Sequence, residues 1–395
     1  MIRPPAGLSG TSTAPITVRA LNDGQALLDA QFARIPVVLS NDGAGNNWWV
    51  LEGFNARNSN WTVIILAGRN NTLRRIVAWD AQINQNNHVL LVGGRDNLVE
   101  DCGFFGAARN VVNTYDDINP VFRRVWARWE GSTQAAVKYA FQLYYTQPGA
   151  VCENCLATWW PFTMPESYTL VNNGVPYPDP NNPLTLTNYT VEQRVGPMGQ
   201  EGGSGSETTN TKFLASLSYH RGAVDFLTTS SSPTVMFLEQ PSSVNVVRHV
   251  GVVVPSFTGA SSIASYSLRS NGSNTDLSAQ RITSLSQGGF DIGAQWSVSN
   301  HITGTSVSSL NSQGANPWTG TSGAQFCYRW VNGTQTTTPL WPWPMNERIK
   351  AATAAAGAYT GPCTGCNGGR RARIATDVTA DIEALLGPIP AACRN

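Results

Sequence analysis

One short arrangement of apolar and polar positions recurs along the chain: two apolar residues three apart, enclosing a polar pair. It is found in VLEGF (50–54), TLRRI (72–76), LVEDC (98–102), VFRRV (121–125) and VCENC (151–155). The apolar pairs are Leu51/Phe54, Leu73/Ile76, Val99/Cys102, Phe122/Val125 and Cys152/Cys155. Looser copies follow at Leu214/Leu217, Val247/Val250, Ala279/Ile282, Ser299/Ile302 and Cys327/Trp330. Successive anchors lie 22, 26, 23, 30, 62, 33, 32, 20 and 28 residues apart, so all but one interval have similar size. Self-similarity at such a period marks a solenoid, in which each unit buries its apolar face only by stacking on its neighbours.

The units read as strands. They are short, rich in Val, Ile, Leu and aromatics, and punctuated by Gly, Asn, Asp and Ser, with no sustained helical period until the tail. A coil of three short strands and their turns has about this length, so the pattern predicts an all-β parallel β-helix of about ten coils, roughly 48 Å long at about 4.8 Å per coil. Asn47, Asn71, Asn97 and Asn119 precede several repeats, where Asn suits a left-handed bend and stacked amides can form ladders.

That register decides how the Cys-x-x-Cys of VCENC reads. Cys152 is expected between Phe122 and Leu214, and Cys155 between Val125 and Leu217, filling apolar columns. Cys102 and Cys327 occupy the same kind of position. No metal site is expected from them, because zinc needs two further ligands nearby. The second pair, Cys363 and Cys366, lies outside the repeat, where a disulfide or a metal site involving Cys393 both remain open.

The coils are expected to span residues 1–335, interrupted by a loop at about 156–212 that fills the long interval and is dense in aromatics and prolines. Insertions in solenoids emerge on one face and can wall a groove. Trp159, Trp160, Tyr168 and Tyr177 could offer platforms to sugar rings, or simply pack the loop onto the coils. Residues 336–395 form a Pro/Trp-rich tail with two predicted helices, over 346–359 and 379–387, expected to cap or flank the last coil, or to dock on a neighbouring subunit.

Charged residues make up 13% of the 395-residue chain and the net charge is +1, so no footprint for nucleic acid or an anionic membrane is visible. No apolar run is long enough for a membrane span. Nucleotide loops and the G-x-S-x-G elbow are also absent from the sequence.

The segments LRRIVAWDA (73–81), LVEDCGFFG (98–106) and FRRVWARWEG (122–131) resemble the right-handed parallel β-helix repeat of the pectin-lyase-like superfamily. The opening SGTSTAPITVRALNDGQALLDA (9–30) and the segment LWPWPMNERIKAA (340–352) resemble uncharacterised secreted bacterial members. The resemblance implies the handedness of the coil. It leaves activity open, since the superfamily includes lyases, hydrolases, esterases, phage tailspikes and proteins without known activity. Lyases of this type use a Lys or Arg base with acidic groups or calcium, so calcium is implied only for a lyase. Related glycosidases use paired carboxylates.

For such chemistry NTYDD (113–117) supplies the candidates Asp116 and Asp117, with Lys138 as the cation and Glu100, Asp101, Glu130 and Arg123 on nearby coils. Neighbours along a strand point to opposite faces, so this pair needs help from another coil. Two readings follow. One is a non-catalytic extracellular, cell-surface or virion-surface scaffold that assembles with itself, binds polysaccharide, or both. The other is a polysaccharide lyase or glycoside hydrolase with a groove on the coil face.

Overall fold

A computed structural model describes residues 1–40, 45–83, 86–131, 139–144, 149–159, 170–172, 175–177, 196–201, 211–220, 236–239, 243–252, 265–271, 276–285, 290–292, 297–323, 325–362, 373 and 375–395. The fold is a parallel β-helix. Its strands form a 16-stranded and a nine-stranded sheet in which all pairings are parallel, each strand matched to its counterpart one coil away.

One inward column runs through the first strand of ten successive coils: Val18, Leu51, Leu73, Val99, Phe122, Cys152, Phe213, Val246, Ala279 and Val298. Up to Cys152 this is the column the repeat predicts. Beyond it the register shifts by one residue, so Phe213 and Val246 stand where Leu214 and Val247 were expected, and Val298 replaces Ser299. Cys102, Cys152 and Cys155 are free thiols with no exposed surface, in the main core. Burial raises the Cys152 thiol well above its ordinary range, with Cys155 beside it adding to the effect.

The polar pair inside each repeat is a bend, and its second residue is left-handed: Gly53, Arg75, Asp101, Arg124, Asn154, Ala215, Arg248, Arg281 and Asn300 all have φ between +49° and +79°. For residues with a Cβ this conformation costs about 1–2 kcal/mol. Each coil recovers part of that cost through backbone bonds to the next, such as Ala215 N to Val247 O at 2.8 Å. At the other end of the first strand, Asn71 and Asn97 form a buried amide ladder: Trp49 N donates to Asn71 Oδ1 and Asn71 N to Asn97 Oδ1, both at 2.9 Å. The left-handed residues there are their neighbours Asn70 and Asp96, together with Asn119.

The first residue of each bend points outward, and over six coils its charge alternates: Arg19, Glu52, Arg74, Glu100, Arg123, Glu153. Parallel stacking brings equivalent side chains close together, where like charges repel and opposite charges attract. Arg123 bonds Glu153 at 2.7 Å and Glu100 at 3.1 Å, and Arg124 bonds Glu100 at 2.9 Å and Asp101 at 2.6 Å. Burial works to raise the Glu100 carboxyl, but the Arg124 and Arg123 guanidiniums outweigh it and hold it below its usual range.

The tail flanks the coils. It folds back along the side of the coils and builds a second core there. Strand Tyr328–Val331 pairs antiparallel with Thr334–Pro339, so Cys327/Trp330 marks a hairpin and not a tenth repeat. Helix α1 (Val307–Ser312) precedes the tail, which carries α2 (Asn346–Ala355), α3 (Val378–Leu386) and a short 3-10 helix (Ala391–Cys393) among the described residues. Asn154 fixes the hairpin by accepting from Trp330 N at 2.6 Å and donating to Tyr328 O at 3.2 Å. From α2, Arg348 reaches coils near the other end, bonding Asn55 Oδ1 at 2.6 Å and Asp23 Oδ1 at 3.0 Å. Cys327 is buried as expected but is bonded to Cys393, with S–S 2.13 Å, which corrects both the free-thiol reading of Cys327 and the pairing sought for Cys393. The hairpin and the following chain return Cys393 to the base of the lobe, where Trp341 N donates to its carbonyl at 3.1 Å. Cys363 and Cys366 lie outside the described residues.

Candidate functional site

The strand Asn110–Ile118 carries an irregularity next to the strand His88–Arg95: Thr114 pairs with Val92 and Asp117 with Gly94, so three steps on one strand match two on the other. This is a β-bulge, a device that re-aims side chains. The extra residue is accommodated by Asp116, whose φ is +49°, and by Gly93, where a Cβ would stand 3.1 Å from Tyr115 O.

The bulge turns two consecutive residues outward, while the two acids stay on opposite faces as they would in a regular strand. Tyr115 and Asp116 turn outward, with Tyr115 50% exposed, while Asp117 is 1% exposed and neither carboxylate oxygen bonds another described residue. Burial pushes the Asp117 carboxyl well above the usual carboxylate range, and Asp116 beside it adds to the rise. Lys138 lies outside the described residues.

Around the bulge, aromatic groups are presented to solvent. Tyr115 and Tyr144 have ring centroids 5.8 Å apart at an interplanar angle of 30°, and the Arg109 guanidinium lies 5.9 Å from the Tyr144 ring centre. Thr114 holds the coils together here, its hydroxyl accepting from Tyr144 N at 2.7 Å. Arg69 and Arg95 stack on consecutive coils at the same corner, both exposed, and Asp96 accepts from Asn119 at 3.0 Å.

The other acids named from the sequence are engaged elsewhere. Glu100 and Asp101 belong to the ionic ladder. Glu130 is buried between Arg128 and Arg373, and Arg373 also bonds Asp80. Burial works to raise Glu130, but Arg373 and Arg128 outweigh it and leave the carboxyl below its usual range. His88 and His249 are both lowered to about 3, chiefly by burial, and are neutral; His249 lies 2.9 Å from Ser216 Oγ.

Trp159 lies in the strand Leu156–Trp159 and Tyr177 in Val175–Tyr177, while Trp160 and Tyr168 fall outside the described residues. The glycan platform expected on that loop is thus outside what the structure describes, apart from the backbone of these two strands. Tyr115, half exposed, was not singled out from the sequence. Its only signal was its place beside an Asp-Asp pair that a regular strand could not expose on one face.

Among the described residues no cluster of His, Cys, Asp and Glu is suited to a metal, and no helix is long and apolar enough to cross a membrane. No protein-family model matches the chain, and no curated protein matches it. Among solved structures it is similar to the crystal structure of pectate lyase Pel9A, with 16% identity, a TM-score of 0.46, and coverage of 78% of this chain and 69% of that one.

Proposed function

We propose that the chain is a rigid, non-catalytic β-helix scaffold, working outside the cell or on a cell or virion surface, that binds polysaccharide at the Tyr115–Tyr144 corner. The observation that carries this reading is the bulge. It turns Tyr115 outward beside the half-buried Tyr144 ring while Asp117 stays buried, which suits stacking on a sugar ring and not a pair of cooperating carboxylates. The Cys327–Cys393 disulfide fits an oxidising compartment. Self-association would use the strand Ser297–Gly304, which among the described residues is paired only with Asp276–Leu285 and exposes Val298.

Calorimetric titration with neutral and acidic polysaccharides tests the binding site. Tyr115→Ala is expected to weaken binding at least tenfold, with Asp117→Asn leaving it intact. Binding unaffected by Tyr115→Ala would remove the corner from the account.

A second reading, a lyase or hydrolase, is favoured by one observation: Asp117 is buried and its carboxyl is raised above the usual range, the direction that suits a general acid. Polymer cleavage that disappears in Asp117→Asn would establish it.

A further inference from the structure

The first coil carries three strands, Ile16–Arg19, Leu27–Asp29 and Val37–Leu39, and only the last has its outer edge covered. Ile2 does this, its N–H donating to Pro36 O at 2.8 Å and its carbonyl accepting from Val38 N at 2.9 Å. Among the described residues Ile16–Arg19 pairs only with Trp49–Glu52, and Leu27–Asp29 only with Asn55–Arg57. Ile16 N and Ala20 N donate inward to the second coil at 3.0 Å each, so by the alternation of a strand Thr17 and Arg19 aim their N–H groups at the free edge.

The core is unfinished at the same place. Ile16, Val18, Ala20 and Leu28 pack on the main core yet remain only half-buried, whereas Leu51 and Ala56, which follow Val18 and Leu28 on the second coil, have no exposed surface. Leu21 is 98% exposed and Leu27 43%. A cavity of about 190 Å³ opens beside them, between Leu27, Leu28, Arg34 and Pro36.

Charge says what fits. Within residues 1–40 the two acids are already held, Asp23 by Arg75 and Arg348 and Asp29 by Arg57, while Arg3, Arg19 and Arg34 make no ion pair with a described residue. Asp42, the next acid along the chain, lies outside the described residues. Arg19 also opens the alternating column Arg19, Glu52, Arg74, Glu100, so the position beyond the free edge calls for an acid. A second copy does not supply one. Stacked head to tail it would set Ser299, the far end of the same column, over Arg19, and head to head it would bring a second set of unpaired guanidiniums.

We propose that the first coil is an acceptor for an extended acidic segment of another protein, which adds as a strand along Ile16–Arg19. Its backbone bonds the free edge, two alternating apolar residues cover Ile16 and Val18, and a carboxylate stands over Arg19. This goes beyond the glycan reading and does not depend on it.

The test titrates the full chain with the peptide acetyl-GSVTVEGS-amide and with its counterpart carrying Lys in place of Glu, by calorimetry, and follows amide exchange at Thr17 and Arg19. The acidic peptide is expected to bind about tenfold more tightly and to slow exchange at both amides. Arg19→Gln should abolish the preference and Arg19→Glu reverse it, with Tyr115→Ala changing neither. Equal binding of the two peptides, a preference that Arg19→Glu leaves unchanged, or no binding by the folded protein overturns the proposal. Should the Arg19 variants fail to fold, exchange in the unaltered protein decides: slowing at Thr17 and Arg19 by the acidic peptide alone supports the acceptor edge, and unchanged exchange refutes it. A dimer without peptide, seen by light scattering and protecting the same two amides, would make a second copy the occupant and likewise overturn the proposal.

Discussion

Two outward columns run side by side along the same coils and are finished in opposite ways. The column through Arg19, Glu52, Arg74, Glu100, Arg123 and Glu153 is ionic, each charge answered by its opposite on the next coil. The column through Val77, Gly103, Trp126, Leu156, Leu217 and Val250 is apolar and lies under the tail lobe. The backbone repeat is the same in both. Surface chemistry alone decides whether a face of the solenoid meets water or becomes a second core, and the lobe follows from that choice.

The largest effect is expected where the second core is emptied. Trp126 is fully buried against the lobe, and Trp126→Ala should cost about 3–5 kcal/mol through lost contact and an unfilled cavity. Denaturant unfolding measures it, and a loss below 1 kcal/mol would mean that the lobe is not tightly packed there.

Next is the ionic column, which should be uneven along its length. Glu153 has no exposed surface, and Glu153→Leu leaves Arg123 short of a partner, at a cost of about 3 kcal/mol. Arg74, whose Nε lies 3.2 Å from Glu100 and whose side chain is 40% exposed, should lose less than about 1 kcal/mol in Arg74→Ala. Equal losses at the two sites would break the distinction between a covered and an open ladder.

The smallest effect has a sign that depends on pH. Burial raises the folded Asp117 carboxyl, so the folded chain holds this proton to higher pH than the unfolded chain, which gives it up above about pH 4. Its contribution to stability is therefore full below that pH and is lost as the pH rises towards the folded value. Asp117→Asn removes this loss, so its melting temperature should exceed that of the unaltered protein at pH 7, with the difference closing at pH 4. A constant difference would mean that Asp117 is ionised in the folded protein.

The two columns also explain what could be read in advance. While the outward pair was charged, as in Arg74-Arg75 or Glu100-Asp101, its contrast with Leu73 and Val99 identified the inward residues. Under the lobe that contrast disappears. Leu214 is 4% exposed although it points away from the coil interior, and Val247 packs on the same second core, so each was mistaken for the inward neighbour preceding it. Trp330 misled in the same way, its burial owing to a hairpin and not to a coil. The course of the tail was not legible because its anchors, Asn154, Asp23, Asp80 and Glu130, are distant polar residues that carry no local period. The acid pair was found from its sequence, but the bulge beside it was not, since nothing in NTYDD specifies a break in register with the preceding coil.

The measurement closest to the central claim is incubation of the intact protein with a panel of neutral and acidic polysaccharides, recording bound protein and polymer chain length in the same samples. The account predicts retention on at least one polymer, weakened at least tenfold by Tyr115→Ala, with chain length unchanged. Progressive shortening of a polymer that stops in Asp117→Asn would contradict it and make the Asp117 carboxyl a catalytic acid.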